Sequence, residues 1–456
     1  MSQLLERKRA ALNAKMACLT GEFVHWEELA APGATLQKHH TQVVSLIAHL
    51  DGLRSGTQRL FKKADADGQL LEESRNIESL LLGLRRVWEF FRARLMQRLD
   101  EQMQPFLQVA DELAWASYRP VLDHFGGTRR QPPLVFLNGG LSPFALARDQ
   151  RFGVDPVPGQ ALTGPTYDAV LGHLPFPMIG VPWHQVAHLP DLPVVAHETG
   201  HAVENDFRLL PGIDANLARV LGEDHVRLAY WRAWSREIFA DMWGCLTLGP
   251  AYASSLIDFL ATAQAAIRNE APSVQCAYPT THLRVHLCIE ALDQLEFDTS
   301  ALSRWWSEAY PDAPKDDFLP DARLVARAIL AEPLICPAGP LPLLPEIKDL
   351  RMTTEQWGWS QDAAMELRRH PAKPPESATT IAVWTAAARA AYDLNPLQYA
   401  DDHHALALIS RSKQLIKPDV RFRESTADQP TDEALRDEAQ RTSIDCFDEF
   451  WRWSMA

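Results

Sequence analysis

Val194-Val-Ala-His-Glu-Thr-Gly-His-Ala-Val203 is the stretch around which the rest of the chain organises itself. His197 and His201 are four residues apart, and Glu198 directly follows the first. On an α-helix, residues i and i+4 share a face, so both imidazoles reach one tetrahedral Zn²⁺. Glu198, about 100° round the helix, reaches a water beside that ion. Pro193 suits a first helical turn after Asp191, and Val194, Val195, Ala196, Thr199, Gly200, Ala202 and Val203 carry no charge. A surface helix shows charges on its outer face, so this helix is expected to be mostly buried, where ionisable groups require partners such as a metal. The bland alternative is a pair of core histidines bonded to backbone.

A tetrahedral catalytic site needs a third protein ligand. Metzincin sites continue as HExxHxxGxxH, but Glu204 stands at the glycine position and Phe207 at the final histidine position, so a downstream carboxylate is required. Residues 227–248 read as a helix in which Tyr230, Trp234, Glu237, Asp241 and Gly244 share one face. Two acids on an otherwise apolar stripe, beside Trp234, Ile238, Phe239 and Trp243, are costly unless something cationic neutralises them. Glu237 is therefore the expected third ligand, and Asp241, one turn on, is expected to accept the Nδ1 proton of a ligating histidine. Glu204, Asp206, Glu223 and Asp224 compete. The first two lie too soon after His201 to curl back, and the last two read as acids at a helix start.

His197-Glu-Thr-Gly-His201 followed by Glu237-Ile-Phe-Ala-Asp241 resembles the gluzincin group of zinc metallopeptidases, which carry HExxH on one helix and ExxxD on the next. The resemblance spans about residues 175–300. It implies that His197, His201 and Glu237 hold one Zn²⁺, that Glu198 is the general base and acid, and that Asp241 orients a histidine. The 36 residues from His201 to Glu237 exceed the thermolysin-like spacing, which implies an inserted loop around 206–223. Such hydrolysis also needs a donor to the developing oxyanion. Tyr278, His282 and Tyr230 are the candidates, while Arg284 reads equally as a buried ion-pair partner.

The flanks are different in texture. Residues 1–128 carry apolar residues at helical spacing, for example Leu80, Leu84, Val87, Phe91 and Leu95, with breaks at Ala31-Pro-Gly-Ala and Asp65-Ala-Asp-Gly, and read as a helical bundle. The adjacent pair His39-His40 reads as solvated, since neighbouring helical residues diverge by about 100°. Residues 129–300 read as a zincin-like catalytic domain. There the β-prone runs 134–137 and 178–181 form a small sheet ahead of the active helix, and Asn138-Gly-Gly140 reads as a tight turn. Met178, Ile179, Gly180 and Val181, within 176–183, are the first choice for an edge strand that pairs with substrate, and 134–138 the second. Residues 301–456 read as mainly helical, with a Pro-rich connector at 333–345, a break at Lys373-Pro-Pro-Glu376, a charged surface interval at 421–438, and a polar turn at Asp401-Asp-His-His404. The expected class is mainly α with a small β-sheet.

Composition narrows the function. The 456 residues are 46% hydrophobic and 23% charged, as in a globular chain, and 45 Lys plus Arg against 59 Asp plus Glu give a net charge of −14, which argues against nucleic acid. The charged start Glu6-Arg-Lys-Arg9 shows no export signal. The longest uncharged apolar stretch, 242–257, is shorter than the ~20 residues of a membrane span and contains Tyr252, Ser254 and Ser255. Six scattered cysteines without a CxxC pair suit reduced packing thiols, so a cytoplasmic setting is expected. The leading expectation is a zinc-dependent endopeptidase or aminopeptidase acting on peptide or protein substrates. The helical arms either roof the cleft and meet a regulatory partner or only complete the core. The competing reading is a non-catalytic helical interaction protein whose zinc merely ties two helices together.

Overall fold

Residues 134–138 and 178–182 are continuous apolar runs, the pattern of strands buried on both faces. In the computed structural model of the chain both faces are indeed covered. The structure describes residues 3–126, 131–148, 175–312, 317–343, 347, 350–368, 380–399 and 436–437. Four long helices come first, α1 (Gln3–Leu29), α2 (His40–Ala66), α3 (Leu70–Met96) and α4 (Gln104–His124), with breaks at the two predicted turns. Strands β1 (Leu134–Asn138), β2 (Phe144–Leu146) and β3 (Met178–Pro182) follow, and Asn138 Oδ1 accepts the Gly140 N–H to close the predicted turn.

The motif lies on α5 (Val194–Phe207), and the carboxylate pair on α7 (Leu228–Leu248), within one residue of its expected start. Between them, α6 (Leu210–Leu221) replaces the loop expected over 206–223. The chain continues through α8 (Pro250–Leu260), α9 (Gln264–Asn269), α10 (Thr281–Gln294), α11 (Ser300–Ala309) and α12 (Leu319–Leu330). A hairpin of β4 (Leu334–Cys336) and β5 (Gly339–Leu341) then occupies the interval read as a connector. Its prolines Pro337 and Pro340 sit in the turn and on a short strand, where little ladder pairing is lost. Helices α13 (Thr354–Leu367), α14 (Ile381–Leu394) and α15 (Pro396–Tyr399) complete the described part. The chain is mainly helical with a small sheet. The break read at Lys373 and the polar turn at Asp401 to His404 lie outside the described residues, as does most of 421–438, where Arg436 pairs with Glu27 of α1.

The sheet order is β1-β3-β2, with β3 parallel to β1 and antiparallel to β2. This corrects the edge assignment. Met178, Ile179, Gly180 and Val181 form the central strand, whose backbone groups are committed on both sides, because the three-residue strand at 144–146, too short to read as an element, pairs with it. Among the described residues, β2 and β1 are the edges.

Successive strand residues point to opposite faces, and here each face serves a different core. Leu134, Phe136, Leu146 and Met178 join α1, α2 and α3, with Phe23 and Trp26 set edge-on against Trp88. Val135, Leu137, Ile179 and Val181 join the larger core with α4, α5, α7, α8 and α10. The helices divide between the two cores at α3 and α4, because α4 packs on α5 and β1 rather than within the first three helices.

At the seam, buried Arg98 donates to both Asp111 oxygens at 2.8 Å, to the Val135 carbonyl at 2.6 Å and to His39 Nε2 at 2.7 Å. His39 Nδ1 lies 2.7 Å from Gln42 Oε1, so this histidine is a buried structural partner and not half of a solvated pair. Burial opposes the Asp111 charge, but Arg98 and His39 outweigh it and hold the carboxyl down at about 2. The apolar run 242–257 is split between α7 and α8 at Gly249, and no helix among the described residues is long and apolar enough to cross a membrane. Cys18, Cys245, Cys276, Cys288 and Cys336 are free thiols.

Candidate metal centre

Two helices build the site by close approach. A Cβ at Gly200 would lie 2.9 Å from Trp243 Cβ and 3.1 Å from the Ala240 backbone, so the glycine inside the motif lets α5 settle onto α7. That contact brings one turn of each helix together. His197 and His201 present Nε2 atoms that each lie 3.5 Å from Glu237 Oε2, and the three ligand atoms fall within 4.8 Å of one another. Zinc bonds of about 2.0–2.2 Å at tetrahedral angles separate neighbouring ligand atoms by about 3.3–3.5 Å. Glu237 Oε2 is buried and has no hydrogen-bond partner among the described residues. An orphaned buried carboxylate oxygen equidistant from two imidazole nitrogens is costly by itself and fits a divalent cation.

Behind His197 stands a polar knot. Asp241 Oδ1 is 3.0 Å from His197 Nδ1, Arg284 Nε and Nη2 donate to the two Asp241 oxygens at 2.6 and 2.9 Å, and the Tyr252 hydroxyl donates to Oδ1 at 2.5 Å. Burial works against the charge on Asp241, but Arg284 and His197 overcome it and hold the carboxyl at about 2. Burial likewise disfavours imidazolium at His197, yet Asp241 and Glu237 push its pKa up to about 9. The Glu237 carboxyl is held well below the usual range because the two imidazoles outweigh its burial. Glu198 behaves differently, since burial dominates and raises its pKa despite the neighbouring histidines.

A cavity of about 640 Å³ adjoins this cluster, with His197, Glu198, Tyr252, Tyr278 and Arg284 on its wall, whereas His201 and Glu237 do not line it. Its other walls come from Leu141 to Pro143 just before β2, from the segment before α5, from α8 and from Tyr392 of α14. Among the described residues, α1 to α4 contribute nothing to it; α1 to α3 instead cover the far face of the sheet.

Of the three oxyanion-donor candidates, Tyr278 is the one on the cavity wall, its ring 5.1 Å from the Arg284 guanidinium. Burial, then the Glu237 carboxylate, raises its pKa and keeps the phenol protonated. His282 turns away and accepts a hydrogen bond from Trp306 Nε1 at 2.9 Å, while Tyr230 packs on Trp234 and Phe318. The competing acids are engaged or solvated: Glu204 pairs with Arg236, Asp206 with Tyr118 and Arg148, and Glu223 and Asp224 are exposed. Tyr252 escaped sequence reasoning. Its signal was a hydroxyl inside an uncharged run, which must find a partner once the run is buried.

No protein family, curated protein or solved structure matches the chain.

Proposed function

We propose that the chain is a zinc-dependent peptidase of gluzincin type, with a zincin-like catalytic region. The observation that carries this reading is the convergence of His197 Nε2, His201 Nε2 and Glu237 Oε2, an oxygen without a hydrogen-bond partner among the described residues, with His197 and the neighbouring Glu198 on a cavity wall. Three protein ligands rather than four among the described residues suit a catalytic site, which keeps a position for water, better than a tie between helices. Zinc held by these residues would supply Lewis acidity toward a scissile carbonyl and a water of lowered pKa. The chain's own groups do the rest. Glu198 takes up a proton as the nucleophile forms and returns it to the leaving amine, a task suited to a carboxylate whose pKa burial has raised. Asp241 keeps the His197 proton on Nδ1, which leaves the Nε2 lone pair free for the metal. Tyr278 donates to the developing oxyanion from the same wall. The substrate main chain runs along β2, the strand that leads directly from Leu141, Ser142 and Pro143 of the cavity wall.

The test is zinc content together with cleavage of a mixed peptide library by wild-type protein and by Glu198→Gln. The variant is expected to keep one zinc per chain and to lose at least about a hundredfold in turnover. Undiminished cleavage by Glu198→Gln would end the mechanism, and zinc binding without any cleavage by wild type would support the structural-zinc alternative.

A further inference from the structure

We propose that Tyr252 is a positioning residue of the metal centre, a hydroxyl that bridges His197 and Asp241 and so fixes which imidazole nitrogen faces the metal. The inference rests on the metal-centre reading above and adds a residue that neither the HExxH nor the ExxxD pattern contains. Three atoms form a closed triangle: Tyr252 OH lies 2.9 Å from His197 Nδ1 and 2.5 Å from Asp241 Oδ1, and the last two are 3.0 Å apart.

Only two protons are available for its three edges. The Tyr252 hydroxyl gives its proton to Asp241. Once a metal takes the place of the Nε2 proton, His197 has a single N–H, and the oxygen acceptors at both corners opposite Nδ1 hold it there. Its Nε2 is left as a bare lone pair, 3.5 Å from Glu237 Oε2, as a zinc ligand requires. The opposite tautomer would set two lone pairs against each other and bring an N–H into the ligand cluster. Arg284 makes the arrangement rigid, because its Nε holds Oδ2 at 2.6 Å while its Nη2 holds Oδ1 at 2.9 Å, which leaves the carboxylate no freedom to swing away.

The tyrosine is itself held in place. It is 2% exposed, its ring lies 10° from parallel with the His197 ring, and a Cβ at Gly244 would fall 2.6 Å from its ring carbons, so α7 has no side chain where the phenol passes. The glycine of the predicted α7 stripe thereby acquires a role, since it lets a residue of α8 reach the back of a ligand on α5.

The experiment measures zinc affinity by chelator competition and the Co²⁺ ligand-field spectrum for wild type and for Tyr252→Phe, with a melt of each metal-free protein. The phenylalanine keeps the ring packing and removes one hydroxyl. A weakening of zinc binding by about tenfold or more, within the range for partners that orient a ligand, is expected together with a shifted Co²⁺ spectrum. Unchanged affinity and spectrum in a folded variant would overturn the assignment. If wild type itself binds no zinc, the metal-centre reading fails with it, whereas a wild type that binds zinc beside an unaffected variant removes Tyr252 alone. Should the variant not fold, the zinc-loaded wild type answers the question by NMR with ¹⁵N-labelled histidine. An exchange-protected Nδ1 proton on His197 with an NOE to the Tyr252 ring is expected, and a proton on Nε2 or no such NOE refutes the bridge.

Discussion

At the scale of single residues, what distinguishes the buried acids is the company each keeps. Asp241 has three donors, while Glu237 has an oxygen with none among the described residues, the difference expected if Glu237 faces the proposed metal. Asp241→Asn is expected to destabilise the metal-free protein by up to about 3–5 kcal/mol, because the buried Arg284 charge loses its 2.6 Å partner and keeps only the longer 3.9 Å pairing with Glu237. Urea denaturation of the metal-free proteins checks this, and a cost below about 1 kcal/mol would contradict it. The seam makes a second, independent forecast. His39 is buried, and burial together with Arg98 lowers its pKa although Asp111 opposes them. The unfolded chain then binds one more proton than the native one between the ordinary value near 6.5 and the lowered native value. Stability is thus complete above that ordinary value and falls with pH by up to about 1.4 kcal/mol per unit within the window. Denaturation at pH 7, 6 and 5 should show a steeper loss for wild type than for His39→Gln, and parallel profiles would refute the assignment. The Asp111 contribution has the depressed-carboxylate sign and disappears only at lower pH, as the value falls through about 2.

At the scale of elements, the site depends on one helix crossing and one sheet edge. Gly200→Ala would drive a methyl group against Trp243 and the Ala240 backbone. A cost of about 1–3 kcal/mol, of the kind overpacking brings, is expected together with weaker zinc binding, since the proposed ligands are divided between α5 and α7. Wild-type stability and wild-type zinc affinity in that variant would show that the crossing tolerates a side chain. The sheet carries a sharper contrast. Proline at Ile179, in the central strand, is expected to unfold the protein rather than to raise KM, because both neighbours of β3 lose register. Substrate pairing is better tested on the substrate. Peptides N-methylated at single backbone positions should include at least one whose KM rises about tenfold if main-chain bonds to β2 hold it, and uniform kinetics along the series would remove β2 from that role.

At the scale of the whole molecule, the first three helices are half of the sheet's burial rather than an appendage. Deletion of residues 1–100 would expose Leu134, Phe136, Leu146, Phe176 and Met178 to water, and loss of soluble, folded protein is expected by light scattering and circular dichroism. A stable truncated protein would show that the larger core suffices. The cavity wall takes Tyr392 from the C-terminal helices and nothing from α1 to α4 among the described residues, so any narrowing of access from the helical arms comes from that end. Cleavage of a short peptide and a denatured protein with sparing of the same protein when folded is the expected pattern, and equal rates on all three would reject a restricted cleft. With a net charge of −14, the rate on cationic peptides should fall as salt rises from 0.05 to about 0.5 M while that on neutral peptides changes little.

The side-chain cluster and its local scaffolding were legible in the chain itself. The i, i+4 spacing of His197 and His201, the acids at Glu237 and Asp241 on an apolar stripe, and the helix periods of α1 to α5 and α7 all depend on neighbours within a few turns. Three things were decided only by tertiary structure. The strand order made 178–182 central, since a three-residue partner at 144–146 carries no periodic signal of its own. The sequence left His39 in a solvated pair, but its role came from Arg98 and Asp111 some 59 and 72 positions away. Tyr252 and Arg284 joined His197 and Asp241 because α8 and α10 fold back onto α7. A hydroxyl or guanidinium announces that it needs a partner, but which partner it finds is settled by which helices pack.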